Sequence, residues 1–94
     1  MLHKIYIIFY AKMSKPNADG LIPIYMRVTV SGQRFEISSQ RSVRPEKWVR
    51  NLGKVKPDNE EARATNVHLD MLKKQVYDYE TLLRKEGAEV ILII

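Results

Sequence analysis

From Gly20 to Ser39 apolar and polar residues alternate with a period of two, and one Ser31-Gly32 dipeptide interrupts the alternation. A period of two is that of a β-strand, whose successive side chains point to opposite faces. The dipeptide reads as a two-residue hairpin turn that pairs Val30 with Gln33. That register sets Val28 opposite Phe35 and Met26 opposite Ile37 on an apolar face. The other face pairs Thr29 with Arg34, Arg27 with Glu36, and Tyr25 with Ser38. A slip of one residue would set arginine against phenylalanine and expose the apolar set, so a three-residue loop does not explain the pattern. Pro23 stands at the start of its strand, where a missing N–H is tolerated.

A further strand is expected over residues 4–12, with Ile5, Ile7, Phe9 and Ala11 on one side and Tyr6, Ile8, Tyr10 and Lys12 on the other. Both sets hold apolar residues, which leaves its inward face open. Residues 13–21 form a loop with turn chemistry at Lys15-Pro16-Asn17 and Asp19-Gly20. Residues 41–57 form a basic connector. Within it Pro45 suits the first position of a short helical turn that aims Trp48 at the core, while Asn51, Gly53 and Pro57 stop anything longer.

The remaining pattern has a helical period. Ala62, Thr65, Leu69, Leu72, Val76, Tyr79 and Leu83 recur in steps of three and four and form one face. Asp58 followed by Glu61 reads as a capping box, Glu60 and Glu61 favour the first turn, and Gly87 ends the helix. A helix over 59–86 would run about 42 Å, longer than the roughly 30 Å of a nine-residue strand. It is therefore expected to overhang the sheet and lead, through the apolar tail ending in Ile94, toward a further domain. The fold class is α+β in a single domain over 1–94: sheet about 4–40, connector 41–57, helix about 59–86 and tail 87–94. Core positions are expected at Met26, Val28, Phe35, Ile37, Trp48, Leu69, Leu72 and Val76.

Charge changes this picture more than composition does. The net charge is +5 over 94 residues. Residues 1–56 hold eleven Lys and Arg against three acids, a balance of +8, and residues 57–94 hold five against eight, a balance of −3. A basic sheet half joined to an acidic helical half presents one side to a polyanion. The 45% of hydrophobic residues supply one modest core, and no run of about 18 apolar residues spans a membrane. The first ten residues alternate as a strand does and lack a small-residue cleavage site. Zero cysteines exclude disulfides and thiolate metal sites and fit a reducing, cytoplasmic setting.

Catalytic chemistry finds no support. His3 and His68 are far apart without a partner carboxylate at ligand spacing, and the glycines match no phosphate loop. No enzyme activity, metal or cofactor is expected. Nucleic acid fits better, because a small sheet can enter the major groove with side chains perpendicular to its face. Arg27 and Arg34 present forked donors for guanine, and Tyr25, Thr29 and Ser38 reach phosphates or a thymine methyl. Glu36 either accepts from cytosine or holds Arg27 across the strands, the second being favoured. Lys12, Lys15, Arg41, Arg44 and Lys47 sit on loops and strand ends where phosphates would pass. Two other readings stay open. One is a free-standing RNA- or DNA-binding regulator, with Tyr6, Tyr10 and Tyr25 as stacking platforms. The other is a protein-interaction module that associates through the helix.

Four pieces in order also resemble a known family: Gly20, Pro23, Ile24, Tyr25 and Arg27; Gly32, Arg34, Ser38 and Ser39; Val43, Pro45 and Trp48; and Asn66 with Leu69. Together they are similar to the N-terminal arm-DNA-binding domain of Bacteroidota tyrosine recombinases, the integrases of phages and conjugative transposons. The resemblance implies a three-stranded antiparallel sheet packed on one long C-terminal helix. It also implies that the sheet docks in the major groove of arm-type sites flanking the crossover point, in support of DNA integration and excision. The implied partners are double-stranded DNA, the remaining recombinase domains and other protomers, in the bacterial cytoplasm at the nucleoid. Relatives carry a glycine soon after the serine pair where this chain has Gln40, so the path after the third strand is expected to differ there.

Overall fold

The structure, a computed structural model, describes the backbone of residues 5–85 and the side chains of residues 5–82. Three antiparallel strands, β1 (Ile5–Ala11), β2 (Ile22–Val30) and β3 (Gln33–Val43), form a sheet in the order β1-β2-β3. A short 3-10 turn, Pro45–Lys47, leads to a two-stranded ladder of β4 (Trp48–Val49) and β5 (Lys54–Val55). One long helix, α1 (Glu60–Lys85), completes the described chain. This is an α+β fold. The tail expected over residues 87–94, with the further domain read from it, and His3 lie outside the described residues.

The hairpin register is the one the alternation requires: Val30 with Gln33, Thr29 with Arg34, Val28 with Phe35, Arg27 with Glu36, Met26 with Ile37 and Tyr25 with Ser38. Ser31 and Gly32 both have positive φ, 51° and 80°, as a type I′ turn demands. β1 resolves its open face through pairing. Ile5, Ile7, Phe9 and Ala11 stand opposite Val30, Val28, Met26 and Ile24, and all four join the core. Tyr6 and Ile8 are thereby left on the outside.

Beyond Tyr25 the ladder jumps, so that Ile24 pairs with Arg41 and residues 39–40 bulge out. Strand β3 therefore continues to Val43 instead of ending near residue 40, and the connector begins later than expected. The bulge satisfies its own backbone. The Ser39 hydroxyl, in a buried side chain, donates to the Ile24 carbonyl at 2.6 Å and accepts from Arg41 N–H at 3.2 Å. The Ser38 hydroxyl accepts from Gln40 N–H at 3.1 Å. Gln40 itself has φ +65°, the left-handed conformation for which glycine is suited. At this position the chain keeps a glycine-like backbone without a glycine.

The core has two parts. Ile22, Ile24, Val43, Trp48, Val55, Ala62 and Leu69 form one; Ile7, Met26, Val28 and Val30 form the other, flanked by Ile37, Leu72 and Val76. Of the expected core positions, Met26, Val28, Trp48 and Leu69 are buried, and Phe35, Ile37, Leu72 and Val76 are half-buried. Pro45 opens the 3-10 turn and Trp48 is buried, as its spacing requires. The β4–β5 ladder, which no periodicity marked, closes through Gly53 at φ +62°. A side chain there would meet the Phe9 carbonyl only at ordinary contact distance, 3.4 Å from its Cβ, so it is the left-handed φ that favours glycine.

Two expectations about α1 are corrected. The N-cap is Asn59, whose Oδ1 accepts from Ala62 N–H at 2.7 Å; Asp58 pairs with Lys47 and caps nothing. A capping side chain must bond the N–H two or three residues on, and Asn59 is the residue whose carbonyl starts the helical ladder, at Arg63 N–H. Tyr79, placed on the core face by its spacing, is 50% exposed, and Glu80 is the buried residue of that turn. The core stripe steps by four from Val76 where the sequence pattern stepped by three. The side chain of Leu83 lies outside those described.

Side chains on α1 also grip the sheets. Asn66 accepts from Val55 N–H at 2.9 Å and donates to Val55 C=O at 2.8 Å, completing the outer edge of β5. His68 Nε2 lies 2.9 Å from the Ser39 carbonyl and ties the helix to the bulge.

Leu69→Ala should cost about 2–5 kcal/mol in denaturant unfolding, whereas Tyr79→Ala should change stability by no more than about 0.5 kcal/mol. Equal losses would mean the helix faces are wrongly placed. Gln40→Gly should raise stability by about 1 kcal/mol, since a non-glycine residue pays about that much for a left-handed backbone. A loss on that substitution would show that the bulge needs the glutamine side chain.

Candidate nucleic-acid interface

With the odd positions of β1 and the even positions of β2 turned inward, the opposite face of the sheet has no element packed on it among the described residues. Its side chains fall into cross-strand rows: Tyr6–Thr29–Arg34, Ile8–Arg27–Glu36 and Tyr10–Tyr25–Ser38. Lys12 extends the last row, its N–H donating to the Pro23 carbonyl at 3.0 Å. The six hairpin residues singled out in the sequence all stand here, and Lys12 joins them.

The centre of the face is a connected charge cluster. Glu36 meets Lys12 at 3.2 Å and Arg27 at 3.6 Å. The Lys12 ammonium lies 3.9 Å from the centre of the Tyr25 ring, and the Arg27 guanidinium 4.8 Å from that of Tyr10. The two rings are themselves 6.2 Å apart. Each cation thus has an aromatic face below it and a carboxylate beside it, which limits the freedom of both long side chains.

Electrostatics follow from these contacts. The Tyr10 phenol and the Lys12 ammonium hold the Glu36 carboxyl below its ordinary value, and Glu36 in turn raises Lys12. Burial pushes the Tyr10 phenol up, and Glu36 adds to the shift. The buried Tyr10 hydroxyl has no partner at hydrogen-bond geometry, so its coupling to Glu36 is electrostatic rather than a formed bond. Glu36 is therefore ionised throughout the neutral range and already engaged with Arg27, the role favoured for it from the sequence.

Arg34 differs from Arg27. It is exposed and makes no ion pair among the described residues. Its five N–H donors are open to a ligand. Thr29 stands beside it, and the Ser38 hydroxyl, although it accepts from Gln40, keeps its proton to donate.

The flanking cations separate. Lys15 is exposed in the loop after β1, beyond Lys12. Arg41 shares its register position with core-facing Ile24 and falls on the other side of the sheet, exposed at the β3 edge. Arg44 and Lys47 line a shallow cleft with Val43, Asp58 and Asn59 at the start of α1. Lys47 is held there by Asp58, whose carboxyl it keeps below the usual range. These three do not join the outer face. Tyr6, Ile8 and Tyr10 do; the sequence placed them on one side of β1 and offered Tyr6 and Tyr10 as stacking platforms, but which side faces outward is legible only once the partner strand is known.

Among the described residues no group of three or more His, Asp or Glu could hold a metal, and no helix is long and apolar enough to cross a membrane. His68, bonded to the Ser39 carbonyl, serves the fold.

Comparison with curated proteins and with solved structures gave no match. The comparison with protein families did, over residues 9–92, a span that holds β2, β3, the bulge, the Asn66 clamp and all of α1. A sheet face that carries cations and hydroxyls and has nothing packed on it among the described residues, a helix behind it, and this match over most of the chain agree: the protein belongs to the arm DNA-binding domain family, the non-catalytic DNA-binding modules of integrase-type recombinases.

Proposed function

We propose that the chain reads arm-type sites for a site-specific tyrosine recombinase of a phage or conjugative transposon, acting at the bacterial nucleoid. The outer face of the sheet docks in the major groove. There the module tethers the recombinase to accessory sites and supports integration and excision, while other domains supply the covalent chemistry. The observation that carries this reading is that, among the described residues, nothing packs on this face and Arg34 makes no ion pair, with Tyr25, Arg27, Thr29, Glu36 and Ser38 in register around it. Lys12 and Lys15, at the end of β1 and in the loop after it, are the cations on this side that would meet phosphates of the flanking backbone, whereas Arg41, Arg44 and Lys47 lie off the face and have no part in this docking.

Within this reading the two arginines divide the work. Arg27, held by Glu36 and Tyr10, is preorganised and reaches DNA with little further loss of side-chain entropy. Arg34 is the adaptable fork suited to guanine O6 and N7. A second reading, association with other recombinase domains or protomers through α1, draws on Val67, Met71 and Leu82, which are exposed apolar residues on that helix.

Affinity for a duplex from the flank of the mobile element, against a scrambled duplex, should fall steeply with salt. About five phosphate contacts give a log–log slope near −4.5, a loss of roughly 500-fold between about 50 and 200 mM. Tighter binding to the flank is the expected outcome. No binding at low salt, together with concentration-dependent mass in sedimentation, would put association through α1 in its place. Arg34→Ala should weaken binding to the flank by about 1–3 kcal/mol and relax preference at one base pair. The same loss on every duplex would make Arg34 a phosphate clamp.

A further inference from the structure

The outer face is not uniform across its three strands. The β3 column carries Arg34, Glu36 and Ser38, and the β2 column carries Thr29, Arg27 and Tyr25. The β1 column instead presents Tyr6 and Ile8, 59% and 49% exposed. Ile8 stands opposite Arg27, but that guanidinium is turned over the Tyr10 ring and toward Glu36. A half-exposed isoleucine beside an exposed tyrosine on an edge strand invites edge pairing and does nothing for solubility. Both residues precede residue 9, where the family match begins.

Their position decides what can cover them. They share a face with Lys12, Arg27 and Arg34, so the occupant must be anionic overall and yet present apolar groups to one edge. In the major groove the apolar group on the base edges is the C5-methyl of thymine. Strands about 4.8 Å apart put the β1 and β3 columns roughly 10 Å from each other, within a groove about 12 Å wide. We infer that Tyr6 and Ile8 form an apolar strip that reads thymine methyl groups along one side of the groove, while Arg34 takes a guanine edge on the other. The inference rests on the major-groove reading above and adds the base chemistry of the target: a thymine-bearing step beside a guanine.

The test uses the 94-residue chain and a duplex that it selects from a random pool, with each thymine then replaced singly by uracil, which pairs alike but lacks the methyl. Wild type should lose about fourfold in affinity at each contacted position, the worth of burying one carbon. Ile8→Ala should lose a comparable factor on the thymine duplex and show no further loss with uracil at that position. A thermal melt shows whether the variant is folded, and Ile8→Val, which keeps a branched apolar contact, should restore most of the uracil sensitivity. Equal affinity of wild type for thymine and uracil duplexes overturns the inference and leaves duplex binding intact. Uracil sensitivity undiminished in both Ile8→Ala and Tyr6→Ala places methyl recognition elsewhere and also overturns it. Failure to select or bind any duplex would overturn the docking reading itself.

Discussion

The Ser31–Gly32 turn fixes which residue of β2 stands opposite which residue of β3, and through that parity it fixes the sidedness of the molecule. Two residues at positive φ give a turn whose twist matches that of the strands it joins. With Val30 set against Gln33, every second residue back to Met26 faces the core, and every residue between them faces out. A shift of one would bury Arg27 and Thr29 and strip Val28 and Met26 from the core, at a cost that small domains cannot absorb. The position of β1 follows from the same parity, since its inward set is the one that meets Val28 and Met26. Outward-facing and core-facing chemistry are thus two consequences of one turn.

On the outer face the organising group is a carboxylate. Glu36 draws Lys12 and Arg27 together over Tyr25 and Tyr10, so the cations of this face are held in order by the fold itself. The arrangement lowers the charge of the face by one unit. In exchange it fixes two long side chains and leaves Arg34, in the row beyond, exposed and without an ion pair among the described residues. Order and adaptability sit side by side on adjacent strands.

Behind the sheet, polar contacts do what a small core cannot. The bulge at residues 39–40 interrupts the ladder, and a carbonyl left bare there would be costly. Ser39 bonds the Ile24 carbonyl, and His68 meets the carbonyl of Ser39, so the break in the ladder becomes an anchor point for α1. Asn66 does the same for the β4–β5 ladder by occupying both backbone groups of Val55. The serine pair and the Asn66–Leu69 spacing, which the family resemblance singled out, owe much of their placement to this scaffolding.

The sequence by itself determined the hairpin, its register, the six side chains of its outer face, the proline-led turn before Trp48 and most of the helical stripe. All of these rest on local periodicity and turn chemistry, which act between near neighbours. Tertiary structure alone decided the inward face of β1, because both of its faces are apolar enough and only the partner strand distinguishes them. It decided that Asn59 caps the helix instead of Asp58, since Lys47 from another element claims the aspartate. It turned Tyr79 out and Glu80 in, one step of helical phase that a stripe drawn from hydrophobicity cannot register against a packed surface. It also separated Arg41, Arg44 and Lys47 from the outer face of the sheet, because a bulge and a change of direction lie between them and the hairpin. Each of these outcomes depends on residues distant in sequence competing for one place, and that competition exists only in the folded chain.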